Sequence, residues 1–171
     1  MTEFHDFQDL TDPRMNEASW RAHDLLRAYA ARDRAAIVEH LAHLEDDQLE
    51  FARGVTANFY NDTLEMLRDT GRPYVPASLV REVDAVARFA PTEHEFTVTT
   101  ATRRLARGEV TMRELIDGGS LEVRDRIHTL AVYPLALLLV SFSRKRVQQM
   151  LDKAADMTEA VGGHPRPYSV V

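Results

Sequence analysis

Histidine titrates closest to neutral pH and is the commonest metal-binding side chain, so the histidines of this chain are the first candidates for chemistry. Two of the seven, His40 and His43, stand three apart, with Glu39 before them and Glu45, Asp46 and Asp47 after them, while His23 precedes Asp24 in the preceding segment. Imidazoles at i and i+3 of a helix share a face and can hold one metal ion between them. The fuller signatures are missing: neither HExxH nor the Glu-x-x-His of di-iron bundles occurs. His40 falls at the edge of an apolar stripe and His43 toward solvent. The pattern therefore fits a packed histidine beside an exposed one, and no metal or other cofactor is expected.

A second candidate is NFYND, residues 58–62. At 100° per residue Asn58 and Asp62 project among Phe51, Val55, Phe59 and Met66, which predicts an amide and a carboxylate within an apolar face. Buried polar groups need partners. Arg27, Arg88 or a helix N-terminus would satisfy them structurally, and a polar ligand or partner would do so functionally.

The third constellation is basic. Net charge is -6, but residues 1–91 carry ten Arg against seventeen Asp or Glu, a balance of -7, whereas residues 92–153 carry ten Arg or Lys against eight acids, a balance of +2. On a helix from Thr92 to Arg107, Arg103, Arg104 and Arg107 share one face; Arg124, Arg126, Arg144, Lys145 and Arg146 follow. The segment from Thr111 to Ile127 resembles a helix-turn-helix in outline. Glu122 and Asp125 on the would-be reading helix argue against it, and a solvated Arg/Glu face is the commoner meaning of such a pattern. Other chemistry is absent at the level of composition. There is no cysteine, hence no disulfide, thiol nucleophile or zinc ribbon, and there is no GxSxG, GxxxxGK[ST] or GxGxxG.

The elements that must position these residues read as helices throughout. Ala22, Leu25, Leu26 and Tyr29, then Ile37, His40, Leu41 and Leu44, follow the i, i+3, i+4, i+7 spacing. A longer helix runs from Asp46 to Arg68, another over Leu79 to Ala90 ending at Pro91, and a fifth from Thr92, where Thr92 and Glu95 suggest a capping box, to Arg107. Thr111 with Glu114 opens a short helix; Gly118 and Gly119 stop it; Ser120 caps a long helix whose pattern continues to Met157. The breaker-rich TGRPYVP, residues 70–76, separates the halves. The stretches beginning at Ala31 and Ala106 repeat one skeleton of helix end, short apolar helix, turn and Leu-Glu-apolar restart, which suggests two related three-helix units.

Residues 130–140 form an almost uncharged run that includes Pro134. A bilayer span needs about 20 apolar residues, and Arg124, Asp125, Arg126 and His128 on one side with Arg144 on the other bound this run too closely. It reads as a buried helix, kinked at Pro134 rather than broken there. Its leucines point in almost every direction around the axis, which raises the expectation of a homodimer through this helix.

The expected protein is all-α, a compact bundle of about seven helices, with residues 1–15 a flexible arm, 16–158 one domain and 159–171 a flexible tail. The acidic N-terminus lacks the basic-then-apolar pattern of a secretory signal, so the expected location is cytoplasmic. The expected role is non-catalytic: a helical interaction or regulatory protein acting through a protein partner or self-association, away from membranes. A nucleic-acid-binding regulator using the arginine-rich second half is the alternative, and a metal- or small-molecule-dependent enzyme is third.

Overall fold

A computed structural model describes residues 12–71, 76–162 and 166–167, and the described residues fold into eight packed α-helices with no strand. The helices are α1 (Pro13–Ala31), α2 (Arg34–Ala42), α3 (Asp46–Thr70), α4 (Pro76–Ala87), α5 (Thr92–Ala106), α6 (Met112–Asp117), α7 (Val123–Ser141) and α8 (Arg144–Gly162). Most of the arm, the centre of TGRPYVP and most of the tail lie outside the described residues. No helix of the described residues is long and apolar enough to cross a membrane.

Helix boundaries follow local chemistry. The Asp12 side chain accepts from the backbone N–H of Arg14 and Pro13 occupies the first turn, so α1 starts three residues before the expected Asn16. Asp33 caps α2 by accepting from Ala36 N–H. A capping box joins Glu45 to Gln48 at α3, and a second joins Thr111 to Glu114 at α6, the latter as the sequence predicts. The box expected at Thr92 and Glu95 does not form, because Pro91 is the residue preceding α5. Glu122, not Ser120, precedes α7.

Helix α7 is the axis of the bundle and packs against α1, α3, α4, α5 and α8. Its apolar residues divide between two cores. Ile127, Ala131, Val132, Leu135 and Leu138 join Leu25, Leu26, Tyr29, Ile37 and Val147 on one side. Leu130, Tyr133, Ala136 and Leu137 join Leu79, Val83, Leu105, Met112 and Leu115 on the other. Every residue from Ile127 to Leu138 is buried within one chain. Each large apolar side chain so buried contributes ~1.5 to 3 kcal/mol, which offsets the ~3 kcal/mol cost of a mid-helix proline. The helix continues through Pro134. The excess that suggested a homodimer is thus covered by the chain's own helices.

The single long C-terminal helix that the spacing predicts is two helices. Phe142 adopts an extended backbone at φ -134° and ψ 154°, ending α7. The Ser143 hydroxyl then accepts from Arg146 N–H at 3.3 Å, and α8 turns back to lie along α1. Its Val147, Leu151 and Ala155 face the core. Serine as a helix start competes with continuation, and the i, i+3, i+4 pattern does not reveal a change of direction.

Candidate functional site

The polar groups that the fold concentrates are not the ones the sequence singles out. At the start of α7, Asp125 projects from the first turn and His128 stands three residues further on. His94, from the first turn of α5, lies against both. Asp125 is only 8% exposed, and its Oδ1 lies 2.8 Å from His94 Nδ1. The rings of His94 and His128 are 5.4 Å apart and tilted by 35°. On the inner side, His128 Nδ1 is 2.8 Å from the Tyr29 hydroxyl of α1. Four side chains from three helices, three of them buried and His94 half-buried, thus form one polar row, in the order Asp125, His94, His128, Tyr29.

Electrostatics and hydrogen-bond satisfaction determine the protons in this row. Burial drives His128 down to about 3, with the neighbouring His94 and Arg124 charges acting in the same direction, so its imidazole is neutral at physiological pH. Burial raises the Tyr29 phenol well above its ordinary value, so it retains its hydrogen. That hydrogen needs an acceptor, and His128 Nδ1 supplies one only if the imidazole proton sits on Nε2. For His94, Nδ1–H donates to the carboxylate of Asp125; in a neutral ring this arrangement leaves Nε2 with a lone pair. His128 therefore offers a donor at Nε2, and a neutral His94 beside it an acceptor.

Both rings line a cleft of about 330 Å3, completed by Val38, Leu41 and Ala42 of α2, Pro91 and Glu93 before and at the start of α5, and Arg124 of α7. Arg124 donates to the carbonyl of Leu41, satisfying the last turn of α2 and placing a guanidinium at the cleft wall. A carboxylate-held imidazole with a free Nε2 can accept a hydrogen bond from a ligand or take its proton. Asp125 is also favoured where it stands, because the first turn of a helix attracts negative charge.

Asn58 and Asp62 are exposed on the outer side of α3, so the expectation that they penetrate an apolar face is overturned. Val55, Phe59 and Met66 do pack half-buried against the core, but the fully buried apolar and hydroxyl positions of α3 are Leu49, Ala52, Thr56 and Thr63, and Asn58 and Asp62 fall outside that face. The Thr56 hydroxyl is satisfied locally, donating to the carbonyls of Ala52 and Arg53. Asn58 and Asp62 do border a shallow surface depression with Asn61, Leu64, Glu65 and Arg68. Partial desolvation, then Glu65, raise the Asp62 carboxyl.

His40 is buried on α2, His43 has 81% of its side chain exposed beside Glu39, and His23 is half-buried against Trp20. No group of three or more metal-ligating side chains forms among the described residues. Burial is the main cause that lowers both His23 and His40.

Four of the basic residues have acidic or carbonyl partners. Arg103 grips Asp84 at 2.6 and 3.0 Å; Arg104 and Arg107 both approach Glu109, at 3.9 and 3.8 Å; Arg126 donates to the carbonyl of Leu121. Arg144, Lys145 and Arg146 are exposed at the start of α8.

The chain matches no family model, no curated protein and no solved structure. No local sequence pattern marks the row from Asp125 to Tyr29, because its members lie 31 and 99 residues apart in their hydrogen-bonded pairs. Only the spacing of Asp125 and His128 on one helix was visible locally.

Proposed function

We propose that the protein is a non-catalytic helical binding protein whose ligand is a small polar molecule seated between α2, α5 and α7. The supporting observation is the row Asp125, His94, His128 and Tyr29 opening on a cleft beside Arg124. Holding a carboxylate and a neutral imidazole at the edge of a core costs several kcal/mol that apolar residues would avoid. Such groups gathered at a concavity are the ordinary signature of a binding site.

The complementary ligand brings a hydrogen-bond donor to His94 Nε2 and a carboxylate-like acceptor to Arg124 and the Nε2–H of His128. A short 2-hydroxy acid has both groups and fits the cleft volume. The test is 15N-histidine NMR with glycolate and lactate as probes, and with acetate as the analogue that lacks the donor. The His94 and His128 imidazole signals are expected to shift saturably with the hydroxy acids and more weakly with acetate, while those of His43 stay in place. Shifts that are linear in concentration for all three probes, or equal at His43, would overturn the reading.

A role through a protein partner is the second proposal, and what supports it is Phe96, which lies 82% exposed on α5. The other large apolar side chains that stand out among the described residues, Val38, Leu64 and Met157, are on three different helices. Sedimentation of wild type and Phe96→Ser measures it: a wild-type self-association lost in the variant supports an interface there, and identical monomers remove self-association as the role of that ring.

A further inference from the structure

The second buried carboxylate of the bundle, Asp24 of α1, belongs to a site unrelated to the cleft. Asp24 is 3% exposed and Trp20, four residues earlier on the same helical face, is 1% exposed. Arg166, beyond the end of α8, returns to this face. Its Nη1 lies 3.0 and 2.9 Å from the two carboxylate oxygens of Asp24, and its guanidinium carbon stands 4.8 Å from the centre of the Trp20 ring. The Arg166 side chain is only 19% exposed. Arg27 donates to Asp24 Oδ1 at 3.2 Å from the same helix and ties to Asp152 of α8, fixing the carboxylate from its other side.

A planar cation stacked on an aromatic face and hydrogen-bonded to a buried carboxylate is how a protein reads arginine in preference to lysine. The carboxylate and ring are held by α1, an element of the main core. The guanidinium comes from a segment separated from Asp24 by 142 residues and flanked by Pro165 and Pro167. We propose that Trp20 and Asp24 form a guanidinium-reading pocket, filled in cis by Arg166, which accepts an arginine of a partner peptide in trans when the tail leaves. Such a peptide competes against an intramolecular arginine whose effective concentration is of order millimolar, so the tail sets a threshold for its binding.

Trp20 is the single tryptophan of the chain, so its emission excited at 295 nm reports on this pocket alone. The experiment compares full-length wild type with Arg166→Ala and titrates each with the tetrapeptide His-Pro-Arg-Pro, the chain's own residues 164–167, and with its Lys and Ala counterparts. The variant is expected to differ in emission from wild type. The arginine peptide is expected to bring it back toward the wild-type spectrum with saturation, the lysine peptide to do so at least ~10-fold more weakly, and the alanine peptide not at all. Wild type should require at least ~10-fold more arginine peptide than the variant does. Identical spectra of wild type and variant, or equal responses to the three peptides, would remove the pocket. A variant that responds while wild type does not, even at tens of millimolar, would make Arg166 a fixed anchor and overturn exchange in trans.

Discussion

Two carboxylates are buried among the described residues, and the bundle satisfies them by different means. Asp24 meets the guanidiniums of Arg27 and Arg166, which carry charge at every accessible pH. Asp125 meets the imidazole of His94, backed by the neutral His128 and Tyr29. The first arrangement is a clamp: it joins α1 to the tail and, through Arg27, to α8. The second is two hydrogen-bonded pairs, Asp125 with His94 and Tyr29 with His128, joined by contact of the two rings at a cleft. The difference teaches that burial of charge alone does not mark a ligand site; the partner's chemistry and its access to a concavity do.

The largest expected effect separates the two regions by pH. His128 has its folded pKa near 3, while an unfolded imidazole titrates near 6.5. Between these values the unfolded chain binds a proton that the folded chain does not, so stability rises with pH and is lost as solutions are acidified through that window. The displacement corresponds to on the order of 5 kcal/mol for this fully buried ring, of which about 3 kcal/mol falls between pH 6.5 and pH 4. His23 and His40, also lowered by burial, add in the same direction. Urea denaturation from pH 7 to pH 4 should show this fall for wild type and a clearly shallower one for His128→Gln. An equally steep fall in the variant would transfer the acid sensitivity to the histidines near Asp24.

Next in size is the contrast between the carboxylates themselves. Asp24→Ala leaves two guanidiniums without their buried acceptor and should cost about 3 kcal/mol. Asp125→Asn keeps a hydrogen-bond acceptor for His94 and should cost about 1 kcal/mol. Denaturant midpoints at pH 7 check both. Equal losses would mean that Asp125, too, acts as a clamp. The smallest effect belongs to α3, where Asn58→Ala and Asp62→Ala should each change stability by less than ~0.5 kcal/mol, measured by thermal unfolding. A loss several times larger would mean that the outer face of α3 packs against something.

The helical class, most helix positions, the Thr111–Glu114 box and the burial of residues 130–138 were legible in the sequence, because capping chemistry and the 3.6-residue period are local. The orientation of α3 was not. Phe51, Val55, Phe59 and Met66 look like its core face, yet they are only half-buried, and Leu49, Ala52, Thr56 and Thr63 are buried instead. Nor was the break at Phe142 legible, since both sides of it keep helical spacing.

What the sequence determined alone is a cysteine-free, all-helical chain with one helix too apolar for a surface position and too short to span a bilayer. Tertiary structure decided which polar residues matter. Asp125 and His94 are 31 residues apart, Tyr29 and His128 99 apart, and Arg166 and Asp24 142 apart. A hydrogen bond forms only when two atoms come within about 3 Å, and for groups on different helices that distance is set by packing, which no local pattern of residues encodes.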